Sequence, residues 1–158
     1  MSIRLLRRDV GLMKLENLGF HPRNLAELRS LLKKPSGLVL LTGPASTGKT
    51  TTLYACLEHL GDGTRKVNTI EDPVEYSLEG IRQSQVNPKI DLGFAELLRS
   101  VLRQTPDVIM VGEVRDPITA ETVVRAANSG HLVFATLHAP VAAGAVESML
   151  ALGVAPHF

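Results

Sequence analysis

The chain has 158 residues, a formal net charge of +1 and 21% charged residues. These values suit one globular domain with a real core, and they give no electrostatic case for nucleic acid or an anionic membrane as partner. Two Tyr, four Phe and no Trp leave few platforms for base stacking, and the single cysteine, Cys56, excludes an intrachain disulfide or a multi-cysteine zinc site and points to a reducing compartment.

Met1 to Arg8 alternates weakly and ends in charge; no signal-peptide core follows it, and no run in the chain approaches a membrane span. Residues 1–22 are expected to be a remnant of a preceding domain and its linker, with Gly19 and Pro22 as breakers. The core is expected over 23–158, incomplete at its C-terminal end. Asn24 is the expected N-cap of a helix over 25–33, where Leu25, Leu28, Leu31 and Leu32 recur at helical spacing. Pro35-Ser36-Gly37 then turns the chain into an apolar strand near 38–42. A helix ends at Gly61-Asp62-Gly63, and a strand near 65–70 is stopped by Glu71-Asp72-Pro73. A short alternating strand at 81–86 reads as an edge. Helix 94–103 carries Phe94, Leu97, Leu98 and Val101 on one face. A continuous apolar strand follows at 107–111, then a helix opened by Asp116-Pro117 and running to about Asn128, a strand from His131 to Leu137 and a last helix over 141–150. Mostly apolar strands alternating with helices predict an α/β fold: a mainly parallel sheet covered on both faces, in three layers.

The chemistry begins at Gly43 to Thr50, GPASTGKT, which satisfies G-x-x-x-x-G-K-[ST] between a strand and a helix, the context this motif requires. Amides of Ala45 to Lys49 are expected to turn inward as a nest at the helix's positive end, with Lys49 reaching the outer phosphates and the Thr50 hydroxyl placed for Mg²⁺. Gly43, Pro44, Ala45, Ser46, Thr47, Gly48, Lys49, Thr50 and Thr51 are the expected nucleotide contacts. Hydrolysis also needs carboxylates, one to organise the metal and one to act on water. Glu113 ends the strand PDVIMVGE, and Glu71, Asp72 and Glu75 follow another strand end, so all are expected at the carboxyl edge where α/β ligands bind. His138 ends the last strand on that same edge. His131 starts that strand and is expected at the opposite edge. Arg99 and Arg103 read as a solvated face, Arg115 as able to reach phosphate or a neighbouring subunit, and Cys56 as a small core residue.

The order GPASTGKTTTLY, TIEDPVEY, LEGIRQSQVNPKI, LRQTPDVIMVGEVRD, SGHLVFATLH resembles the ATPases of type II secretion and type IV pilus assembly, cytoplasmic motors with a RecA-like P-loop core, over nearly the whole chain. The resemblance implies ATP as nucleotide and Mg²⁺ as cofactor, Glu75 of the aspartate box as catalytic base, Glu113 of the Walker B segment as the acid that organises Mg²⁺ with Thr50, and His131 and His138 as a His box that senses nucleotide or couples subunits, placing His138 beside Glu75 and Glu113 in the catalytic set. It further implies a hexameric ring and partners in an inner-membrane secretion or pilus platform, with the protein cytoplasmic and peripheral to that membrane. Ser46 stands where the family usually has Gly, Thr105 where it commonly has an acid, and Ala139-Pro140-Val141 where it usually has Thr-Asn-Asp. Met1 to Leu6 resembles the last strand of the family's preceding domain, which supplies arginines to the reaction. The isolated chain is therefore expected to be a monomer or weak dimer that binds ATP far better than it hydrolyses it. The alternative function is a nucleotide-binding or oligomerisation module with little turnover.

Overall fold

A computed structural model describes residues 13–156; the expected N-terminal remnant strand and His157 lie outside them. The chain forms β1 (Gly37–Thr42), β2 (Val67–Glu71), β3 (Arg82–Gln85), β4 (Val108–Val111) and β5 (Leu132–Leu137). Between them run α1 (Pro22–Leu32), α2 (Lys49–Leu60), α3 (Phe94–Leu102), α4 (Pro117–Asn128) and α5 (Gly144–Ala151). The strands make one sheet in the order β1-β5-β4-β2-β3, and all pairings are parallel.

Strand periodicity sorts the core into two layers. Val108, Met110, Leu132 and Phe134 pack with Leu32 of α1 and Leu53, Tyr54, Cys56, Leu57 and Leu60 of α2. Their neighbours Ile109, Val111, Val133 and Ala135 face Leu98 and Val101 of α3, Ala120 and Val123 of α4, and Met149 of α5. Both faces of β4 and β5 are buried, which is why these strands read as unbroken apolar runs rather than as alternation. At the carboxyl end of β4, Gly112 passes close to β2: a Cβ there would stand 3.1 Å from the Ile70 carbonyl oxygen.

Several boundaries differ from the expectation, most of them by a single residue. The first helix starts at Pro22, with the His21 Nδ1 accepting from Arg23 N at 3.3 Å, so Asn24 is not its cap. Proline fits the first helical position because the amide it lacks would be unpaired there anyway. β2 starts at Val67 rather than 65: Arg65 instead turns its guanidinium to the carbonyls ending α1, 2.8 Å from Leu32 O, a favourable place for a cation. α5 starts at Gly144 rather than 141.

The order of the sheet fixes where ligands can sit. The chain leaves β1 by α2 on one face and enters β5 by α4 on the other, so the carboxyl ends of β1 and its neighbours form a topological switch point.

Candidate functional site

The phosphate-binding segment leaves β1 at Thr42 and wraps into α2. Gly43 has φ 145° and Gly48 φ 87°, conformations that suit residues without a Cβ. A Cβ on Gly43 would also lie 2.9 Å from Thr47 Oγ1. Ser46 takes φ 62°, the left-handed region, at a cost to a residue with a Cβ of about 1–2 kcal/mol. Among the described residues, the amides of Ala45, Ser46, Thr47 and Gly48 donate to no protein acceptor. They stand at the N-terminus of the twelve-residue α2, where backbone N–H groups and the helix dipole favour an anion. Lys49 folds back over the loop, donating from Nζ to Gly43 O at 2.7 Å and to Pro44 O at 2.6 Å.

The expected carboxylates arrive at the same edge. A cleft of about 250 Å³ is lined by Ala45, Ser46, Lys49 and Thr50 from the loop, and by Glu71, Asp72, Glu75, Glu113, Arg115 and His138 from the ends of β2, β4 and β5. Glu113 lies one residue beyond Gly112, and its side chain is 15% exposed. One of its oxygens pairs with Arg115, and the other lies 2.9 Å from His138 Nε2. The hydrogen bond to Glu113 holds the Arg115 guanidinium above its ordinary value. Glu75 is half-buried on the irregular segment that follows β2. Thr51, though on the first turn of α2, is not among the residues lining the cleft.

His131 occupies the far edge, as expected: its Nδ1 lies 2.8 Å from Pro106 O, at the amino end of the strand whose carboxyl end carries His138. The two histidines of the implied His box therefore stand at opposite edges of the sheet. A larger, mainly apolar groove of about 550 Å³ runs between α1 and β1, with Leu28, Leu31, Val39, Leu41 and Phe134 in its walls. It meets the cleft at Lys49 and contributes no further carboxylate than Glu27.

The burial of Glu71 and its tie to Tyr54 escaped the sequence. Glu71, expected at this edge, is 3% exposed. It accepts hydrogen bonds from the Tyr54 and Thr69 hydroxyls and, at 3.1 Å, from Gln83 Nε2. Tyr54 has a second partner, accepting from Glu75 N at 3.2 Å. The available signal was the spacing Thr50 to Tyr54, which puts the tyrosine on the same face of α2 as the Thr50 hydroxyl, one turn on.

Mg²⁺ would meet hard oxygen donors here, the Thr50 hydroxyl and the carboxylates around Glu113. Among the described residues there is no cluster of three His, Cys, Asp or Glu able to cage a metal.

A P-loop core with acids at the neighbouring strand ends defines the class, nucleotide-binding α/β proteins of the RecA type. The particular family follows from comparison: the family described as Type II/IV secretion system protein matches residues 1–157, and the chain belongs to it. Type II secretion system protein E of Pseudomonas aeruginosa is 50% identical over 154 residues, covering 98% of this chain and 31% of the relative. Type II secretion system ATPase E of Vibrio cholerae is 47% identical over the same share of each. The chain thus spans about a third of the length of these relatives. Among solved structures, the pilus retraction motor PilT with bound ADP superimposes with a TM-score of 0.79 at 36% identity, over 90% of this chain and 42% of that one.

Proposed function

We propose that this chain is the ATP-binding and ATP-hydrolysing core of a secretion or pilus-assembly motor. The observation that carries the reading is one cleft holding Lys49 and Thr50 together with Glu75 and Glu113. The amides of Ala45 to Gly48 and the head of α2 bind the phosphates; Lys49 exchanges its two loop carbonyls for phosphate oxygens. Thr50 and Glu113, the latter partly through water, would hold Mg²⁺, which would neutralise charge on the outer phosphates. Both Glu113 oxygens are engaged, one by Arg115 and one by His138, so one of these side chains must give way for Glu113 to reach the ion. Glu75 takes a proton from the attacking water as the new water-oxygen bond to the γ-phosphorus forms and the bond from that phosphorus to the β–γ bridging oxygen breaks, releasing ADP.

Turnover by the isolated chain should be weak. Transferring phosphoryl groups leans on cations around the leaving charge, and an arginine supplied from outside is worth on the order of 10³–10⁵ in rate. Among the described residues the one guanidinium lining this cleft is that of Arg115, and it is already paired with Glu113. A heterologous ring, hexameric in this reading, would bring in the missing groups from a neighbour. Assembly at an inner-membrane platform, from the cytoplasmic side, completes the proposal; no described helix is long and apolar enough to cross a membrane.

The test is calorimetric titration with Mg²⁺-ATP, joined to phosphate release. Lys49→Ala should remove most affinity and leave the fold intact. Glu75→Gln should keep affinity and lose hydrolysis. Equal affinity of Lys49→Ala and the parent chain would remove the site assignment, and normal hydrolysis by Glu75→Gln would move the base to another acid.

A further inference from the structure

The segment bearing Glu75 has almost no backbone support of its own. Between residues 72 and 81 the one backbone–backbone hydrogen bond among the described residues joins Ile81 N to Leu78 O, at 3.4 Å. Side chains from elsewhere hold the rest. Gln85 Oε1 accepts from Val74 N at 3.1 Å, the Tyr54 hydroxyl from Glu75 N at 3.2 Å, and Gln83 Oε1 from Leu78 N at 2.7 Å. Gln83 Nε2 in turn donates to Tyr76 O at 3.1 Å. The Tyr54 and Tyr76 rings also meet, with centroids 4.4 Å apart and planes tilted by 58°.

We infer that Tyr54 is a positioning residue for the reaction: it ties the phosphate-binding helix to the loop of Glu75, with the buried Glu71 carboxylate as the anchor that sets the direction of its hydroxyl. The inference rests on the proposed role of Glu75. Three residues then act in concert: Tyr54 sets Glu75 itself, while Gln83 and Gln85 of the edge strand fix the residues on either side.

The direction of the hydrogen bonds is determined by chemistry. A carboxylate only accepts, so the Tyr54 proton points at Glu71 and its oxygen lone pair is left for Glu75 N–H. Burial, then the hydrogen bond to Glu71, push the Tyr54 phenol well above its ordinary range, so the proton stays in place. Glu71→Gln would break this order without changing shape. With its amide oxygen toward Thr69 and Gln83, its NH₂ group meets the Tyr54 hydroxyl and strands that proton. With the amide reversed, two NH₂ groups face each other across Gln83. Tyr54 also transmits in the other direction. It lies one turn after Thr50 on the same face of α2, so whatever steadies the first turn of the helix steadies the loop.

Hydrogen exchange, nucleotide affinity and single-turnover hydrolysis on the same preparations test this. In Tyr54→Phe, amides of residues 74–78 should exchange about tenfold faster, as expected for the loss of one buried hydrogen bond, while β4 and β5 keep their protection. Affinity for Mg²⁺-ADP should stay within about threefold of the parent chain, and single-turnover hydrolysis at saturating protein should fall by about tenfold or more. Glu71→Gln should reproduce the pattern. Mg²⁺-ADP should slow exchange over residues 74–78 in the parent chain and not in Tyr54→Phe. Should Tyr54→Phe fail to fold, Gln83→Leu, on the half-exposed edge strand, must loosen Tyr76 and Leu78 in the same assay. Unchanged exchange over 74–78 overturns the inference, as does hydrolysis at the parent rate with the loop loosened. Failure of the functional reading looks different: Lys49→Ala then binds like the parent, and the exchange result stands by itself.

Discussion

The two ends of the sheet use the same kinds of side chain differently. At the amino ends of the strands, His131 reaches the Pro106 carbonyl at 2.8 Å, Asp107 Oδ2 accepts Lys66 N at 2.7 Å, and Arg65 closes the last carbonyls of α1. Every one of these groups is engaged by backbone, which is how a chain turning between elements pairs its polar groups. At the carboxyl ends, His138 is 59% exposed and meets another side chain, Glu113, while the loop amides before α2 have no protein acceptor among the described residues. A histidine answering to a carbonyl holds the fold, and one answering to a carboxylate in a cleft can change partners. Residue type alone does not separate His131 from His138, seven positions further on; the end of the strand does.

Substitutions should break the two ends in different currencies. The largest effect belongs to Glu113→Gln, which should weaken the Mg²⁺-dependent part of nucleotide affinity by about 10–100-fold and leave the unfolding midpoint nearly unmoved. Calorimetry with and without Mg²⁺ reads it, and an equal loss in both conditions would mean that Glu113 acts on the fold rather than on the ion. His131→Ala should do the reverse, costing about 1 kcal/mol in urea unfolding through the unpaired Pro106 carbonyl while nucleotide affinity holds. If this variant lost binding instead, the contrast between the two ends would collapse. The smallest effect is expected at Cys56, in the buried middle of α2 and away from both ends. Burial pushes its thiol up to about 12. The thiolate is the reactive form, so at pH 8 only about one thiol in 10⁴ is ionised and reactivity should rise with pH. Mass spectrometry after treatment with an alkylating reagent should find the native protein unmodified at pH 8 and the urea-unfolded protein modified.

Much of this arrangement was legible in the order of residues. Apolar runs at Leu38–Leu41, Val108–Val111 and Leu132–Leu137 announced parallel strands, half-buried in β1 and fully buried in β4 and β5, and the acids following such runs had to emerge at one edge, because parallel strands end on the same side. His131 and His138 could be assigned to opposite edges by the length of one strand. What was not legible depends on contacts across the sheet. Tyr54 carried no signal of a site role, since its partner Glu71 lies 17 residues away on a different element. Glu71 was placed at the ligand edge by its strand, but nothing local shows that Thr69, Gln83 and Tyr54 enclose it. His21 as a helix cap was hidden by its poor record in that role beside Asn24, and by Pro22, whose value as a first helical residue depends on where the helix starts.

Gln83 and Gln85 lie two apart on β3, opposite Thr69 and Glu71 of β2, so both point to the face that holds the Glu75 segment. A strand shifted by one residue presents its other face. Here that would put Arg82 and Ser84 where the two glutamines stand, and release Val74, Tyr76 and Leu78 together. The stretch joining β2 to β3 can therefore drift in composition more freely than in length: a single inserted or deleted residue that moves the register of this edge strand reaches the carboxylate of Glu75, which it never touches.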